Sequence, residues 1–129
     1  MWFSSRLAST VAALGILGVA GCHRPAADPR AGPPKGEVAV RVVNQSLSDV
    51  VIYLVESGVR SRLGTAYGGA TSVFFVAWQR VEGAGTVRLL GDPIGGPRAI
   101  VTDPLSVRAG SMVVWTLERV LPQSYTAVY

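Results

Sequence analysis

The sequence predicts an all-β protein: a single small antiparallel β-sandwich of seven or eight strands over residues 37–129, preceded by an apolar N-terminal segment and a proline-rich linker. Three observations carry this. From Glu37 onward, apolar residues recur at period two, the spacing of a strand with one face in a core. Turn-forming residues interrupt these runs about every 8–12 residues. No stretch after residue 37 holds the three-and-four spacing of an amphipathic helix over a useful length.

Each element has its own warrant. EVAVRVVN (37–44) places Val38, Val40 and Val42 on one face and Glu37, Ala39 and Arg41 on the other, a half-buried strand. VVIYLVE (50–56) is apolar on both faces, as a central strand is. Ser57-Gly58 reads as a two-residue hairpin turn. It leads into VRSRLGTA (59–66), with Arg60 and Arg62 outward and Val59 and Leu63 inward. TSVFFVAWQ (71–79) is an aromatic and β-branched run that predicts the next strand. Gly83-Ala84-Gly85 turns the chain into TVRLLG (86–91), and DPIGGPR (92–98) is loop chemistry. AIVT (99–102) and LSV (105–107) predict short strands around Asp103-Pro104. After the Ala109-Gly110 turn, SMVVWTLE (111–118) aligns Val113, Trp115 and Leu117 on one face. The tail SYTAVY predicts a final edge strand of the domain, or an exposed strand that pairs with a partner's sheet.

The chain before Glu37 divides in two. Residues 1–21 hold one charge, Arg6, then an apolar run of about 14 residues ending in small ones, the pattern of a secretory signal. That run is short of the roughly 20 residues of a membrane-spanning helix. Residues 22–36, with HRPAADPRAGPPKG after Cys22, lack the apolar content to fold and predict an extended spacer. At about 3.1 Å per residue it reaches on the order of 40 Å.

Val19-Ala20-Gly21-Cys22 at the end of the apolar run resembles the lipobox of bacterial lipoproteins. The resemblance covers the first 22 residues. It implies that Val19, Ala20 and Gly21 are read by the signal peptidase, which cuts before Cys22 and removes the signal helix. It also implies that Cys22 carries diacylglycerol on its sulfur and becomes the acylated N-terminus. Two or three acyl chains anchor stably where one does not. His23, rather than aspartate, follows the cysteine, which by the same resemblance implies sorting to the outer membrane where a cell has two. The domain resembles an immunoglobulin-like sandwich in size, without the antibody cysteine pair. VRVVNQSLSDVVIYL followed by LGTAYGGATSVFFV is similar to small β-sandwich domains of bacterial surface proteins. That likeness rests on strand spacing and carries over no functional residue.

Composition excludes much chemistry. From residue 37 on there are eight arginines against seven carboxylates, a net charge of +1, so the domain has no electrostatic footprint for nucleic acid. The only histidine and cysteine, His23 and Cys22, lie outside it, and no lysine follows Lys35. Histidine triads, thiol nucleophiles, Schiff-base lysines and histidine- or thiolate-held metals therefore lack their residues. Asp92 and Asp103 are the candidate acid pair, although aspartate before proline is ordinary turn chemistry. No D-x-D-x-D cluster marks a calcium site. AYGGATS and GDPIGGPR lack the spacing of a phosphate-binding loop. Trp78 and Trp115 read as core.

The candidate contacts are therefore few. Arg60 and Arg62, with Arg88 nearby, are candidates for a small anion-binding patch, and Tyr67, Tyr125 and Tyr129 for ligand or partner contacts. The expected protein is a non-enzymatic, cofactor-free envelope lipoprotein. The expected partners are the membrane, through Cys22, and an envelope protein or glycan; the alternatives are a module for an envelope glycan or other polymer and, behind it, a carboxylate-only enzyme using Asp92 and Asp103.

Overall fold

In the computed structural model, which describes residues 32–96 and 98–129, the chain from Glu37 onward forms two four-stranded sheets packed face to face. The predicted signal segment, its peptidase-recognition residues and Cys22 lie outside the described residues. The strands are β1 (Glu37–Asn44), β2 (Val50–Glu56), β3 (Val59–Ala66), β4 (Thr71–Ala77), β5 (Arg88–Pro93), β6 (Ile100–Val101), β7 (Met112–Leu117) and β8 (Tyr125–Val128). One sheet has the order β4-β1-β7-β8 and the other β3-β2-β5-β6. The all-β sandwich is the architecture that period-two patterning predicts.

The core is the inner face of both sheets. Val38, Val40 and Val42 of β1, Val50, Ile52 and Leu54 of β2, and Val113, Trp115 and Leu117 of β7 are all buried. Trp115 joins the layers. A Cβ on Gly91 of β5 would sit 3.1 Å from Cη2 of its ring and 3.0 Å from Cγ1 of Val50. Glycine at 91 thus leaves the space that the indole from the facing sheet fills.

Several details depart from the sequence reading. β1 and β7 pair in parallel, and every other pairing between strands is antiparallel. β1 and β2 lie in opposite sheets, whereas the first two strands of an immunoglobulin constant domain share one. The likeness to that domain is one of layers and size. Trp78 is not on a strand: it opens the one-turn helix α1 (Trp78–Val81) and packs half-buried against the core. LSV is reduced to a bridge between Leu105 and Val87, because Pro104 has no N–H to extend a ladder. β5 runs through Asp92 and Pro93, and proline is tolerated on its last rung. Val59, predicted inward, is exposed: it is the first residue of β3, directly after the Ser57-Gly58 turn. That turn has positive φ at both residues, 47° and 78°, the hairpin geometry the dipeptide predicts.

The two ends of the sandwich differ. The chain enters β1 from a turn in which the Glu37 N–H bonds to the Pro34 carbonyl at 3.1 Å, and Trp78 N–H bonds to the Gly36 carbonyl at 3.0 Å. The last residues of the predicted spacer are therefore fastened to the domain. At this near end the β4–β5 and β6–β7 connections bury Val81, Val87 and Leu105 and close the core. At the far end, about 25 Å away along the eight residues of β1, Leu121 and Ile100 pack half-buried against the core, and among the described residues its loops bury no apolar side chain fully.

Candidate functional site

Four connections meet at the far end. β1 ends there at Asn44, and its parallel neighbour β7 ends there at Leu117. The ladder of β2 with β5 closes there at Val50 and Pro93, and that of β2 with β3 at Val50 and Ala66. The loops 45–49, 67–70 and 118–124, with residues 94–96 and 98–99, are thus neighbours in space. They display Leu47, Tyr67, Ile94 and Val120, all exposed, with Tyr125 just beyond. Scattered apolar residues on a surface are ordinary, but a cluster on one set of loops is not.

Leu47 is the extreme case, with 93% of its surface exposed. Its loop is held rigidly from below. Asn44 is buried at the base and donates from Nδ2 to the carbonyls of Ser48 (2.8 Å) and Ala66 (3.0 Å). Its Oδ1 accepts from the Ser46 N–H (3.0 Å) and from Ser46 Oγ (2.7 Å). The two carbonyls require the amide group and the N–H requires the oxygen, so the orientation of the side chain is fixed. The β3–β4 turn is clamped to the same loop. Gly68 N–H bonds to Asp49 Oδ1 at 2.9 Å and Gly69 N–H to the Ser46 carbonyl at 3.1 Å. A Cβ on Gly68 would fall 2.8 Å from the Leu47 carbonyl oxygen, so only glycine allows this approach.

Asn44→Ala is expected to lower stability by about 2–4 kcal/mol, because it leaves several buried donors and acceptors unpaired at once. Urea unfolding measures the loss. Fast amide exchange at 46–48, with slow exchange kept at Val40, would place the damage in the loop; a loss below about 1 kcal/mol would mean that the network does not hold it.

Two hollows flank the 3-10 turn Leu121–Gln123. A cavity of about 520 Å³ is lined by the 46–48 loop, Pro93, Ile100, Leu121 and Pro122, with Arg98 and Arg119 among its exposed lining residues. On the other side a groove of about 480 Å³ runs between β6 and β8, the open flank of the sandwich. Its lining is polar: Thr102, Asp103, Ser124 and Thr126 beside Trp115 and Tyr125.

The residues singled out in the sequence are dispersed by the fold. Register places Arg60 and Arg88 in one row on either side of Val55, and Arg62 beside Tyr53, on the outer face of the second sheet. Two of the three have intrasheet partners: Arg60 lies 5.8 Å over the Tyr53 ring, and Arg62 Nη2 donates to Thr65 Oγ1 at 3.2 Å. Tyr125 is at the far end of β8, while Tyr129 pairs with Met112 at the near end. The tail is thus an edge strand of the first sheet, with both tyrosines exposed. Tyr67 belongs to the far-end cluster. Asp92 and Asp103 are not brought together. Continuing the β5–β6 ladder puts Asp103 level with Arg88, four residues or about 13 Å along the strand from Asp92. A glycosidase pair spans roughly 5–10 Å. Among the described residues no three His, Cys, Asp or Glu side chains gather as metal ligands.

The outer face of the first sheet is a separate apolar surface. One row holds Phe75, Ala39, Met112 and Tyr129, and the next Val73, Arg41, Val114 and Ala127. Arg41 Nε is buried there without a hydrogen-bond partner among the described residues.

Asn44, Leu47, Arg98 and Arg119 are absent from the sequence-derived candidates. The one signal was Leu47 itself, a lone apolar residue in the polar stretch NQSLSD. No family model and no curated protein matches this sequence. A solved structure similar to it is the NMR structure of a protein from Eubacterium rectale, at 14% identity and a TM-score of 0.44, covering 74% of this chain and 88% of that one.

Proposed function

We propose that this chain is a lipid-anchored protein of the cell envelope whose β-sandwich is a non-catalytic binding module, and that it binds with the far-end loops. The anchor is supported by the Val19–Cys22 lipobox, the short apolar run before it and the proline-rich spacer after it. The binding end is supported by one observation above the others: an almost fully exposed leucine on a loop locked by a buried asparagine. Fixing a loop removes its conformational entropy, and exposing leucine forgoes burial. Stability alone favours neither, whereas a preorganised apolar anchor is what a binding surface uses.

The test is in-cell crosslinking of the full chain with a photoreactive residue placed at Tyr67, in the far-end cluster, or at Phe75, on the outer sheet face. A defined product from position 67, lost on Leu47→Ser at unchanged melting temperature, is the expected result. Products from position 75 alone would overturn it. The groove beside Tyr125 favours a glycan as the second reading, since hydroxyls, a carboxylate and an aromatic ring are the groups that hold sugars. Co-sedimentation with cell-wall polymer that depends on Tyr125 and not on Leu47 is its mark.

A further inference from the structure

The far-end cavity has a chemistry of its own. Its inner lining is apolar: Pro93 is buried and Ile100 and Leu121 are half-buried. Its volume of about 520 Å³ falls in the range of small-molecule sites, roughly 300–1,000 Å³. Two charged residues line it, Arg98 and Arg119, and both are exposed. Among the described residues no acid lines it. The nearest acids in sequence are Asp49, Asp92 and Glu118, and the carboxylate of Asp49 is taken by the Gly68 N–H. Among the described residues the only ion pair is Arg80 with Glu56, at 3.6 Å on the other side of the fold, so both cavity arginines lack a counter-charge.

We propose that this cavity binds a free amphiphilic carboxylate, an aliphatic chain with one anionic head. The chain lies along Ile100, Leu121 and Pro93, and the head meets the guanidinium groups of Arg98 and Arg119. An apolar hollow alone takes a neutral hydrocarbon, and two arginines alone take inorganic phosphate. The two together select a molecule with both parts. Guanidinium groups pair with carboxylate oxygens through two parallel hydrogen bonds, which gives the head a fixed place. The source is a soluble amphiphile rather than a lipid of the anchoring bilayer. The spacer enters at Glu37, and the cavity lies at the opposite end of β1, about 25 Å away. This choice rests on the proposed binding end and anchor.

The test uses the full chain in phosphatidylcholine nanodiscs, with methyl-labelled leucine and isoleucine followed by NMR. Octanoate is titrated against octanol and octyltrimethylammonium, which share its chain and differ in the head. Octanoate is expected to shift the Ile100 and Leu121 methyl signals saturably, on the order of tenfold tighter than either control. The double variant Arg98→Gln, Arg119→Gln is expected to bring octanoate to the level of octanol. Both residues are exposed, so unchanged signals from Ile52 and Leu54 verify the fold of the variant. Equal affinities for all three probes, no saturable shift, or an unaffected double variant would each overturn the proposal. Octanoate binding without crosslinks from position 67 keeps the cavity and removes the macromolecular partner; crosslinks without octanoate binding do the reverse.

Discussion

Replacing Cys22 with serine is expected to abolish incorporation of labelled fatty acid and to leave the protein larger by its uncleaved leader. The sulfur is the atom that the lipobox resemblance loads with diacylglycerol, and a serine hydroxyl does not take its place. The effect is all-or-none because of how anchoring energy accumulates. Each buried methylene adds about 0.8 kcal/mol, yet a single chain binds reversibly, and stable attachment takes two or more. By the same resemblance, losing the first lipid is expected to prevent the cut that frees the amino group for a further chain. Metabolic labelling with palmitate and gel mobility read both steps. A wild-type protein that takes up no label, or a serine variant of the same mobility as wild type, would refute the anchor and leave the far-end site standing.

Trp115→Ala is expected to cost about 3–5 kcal/mol, a fifth or more of the roughly 5–15 kcal/mol that holds a small domain together. Trp115 is the largest fully buried side chain, and its ring reaches the opposite sheet at Gly91. The hole left by its removal is walled by strands of both sheets, so neither sheet fills it without moving. Urea unfolding gives the number. Val120→Ala, at an exposed far-end position, is the matched control, and surface substitutions of that kind stay within about 0.5 kcal/mol. A loss below about 1 kcal/mol at Trp115 would mean that the two layers do not share this ring.

The strands were legible where alternation ran long enough to have a phase. β1, β2, β3 and β7 follow from their valine and leucine patterns with bounds close to those observed. Short elements carry too few residues for a period: Trp78 continues an apolar run in sequence but turns into one helical turn in space. Asp92-Pro93 reads as loop chemistry, yet Val50 and Val51 hold it on a ladder. The parallel pairing of β1 with β7 left no mark, since period two does not report which neighbour a strand takes. The site was less legible than the fold. It is assembled from four loops far apart in the chain, and no local pattern tells which end of a strand each loop occupies. Asn44 is only the last residue of the β1 run in sequence; the fold shows that it is buried and bonded through both its amide nitrogen and its oxygen. The aspartate pair failed for the opposite reason. Its residues are near in sequence, but an antiparallel ladder sends them to different heights.

The seat of β1 between β4 and β7 has a consequence for the order of events in folding. Ala39 faces Met112, a separation of about 70 residues, so the middle of the first sheet stays open until about the last seventh of the sequence is available. Contacts this distant in sequence carry a large loop-closure entropy and make for slow folding. A chain emerging N-terminus first can pair β1 with β4 but cannot complete the sheet around its central valine strand, because the second partner of that strand is not yet there. This dependence predicts that truncation before Met112 yields a protease-sensitive chain, although six of the eight strands are present.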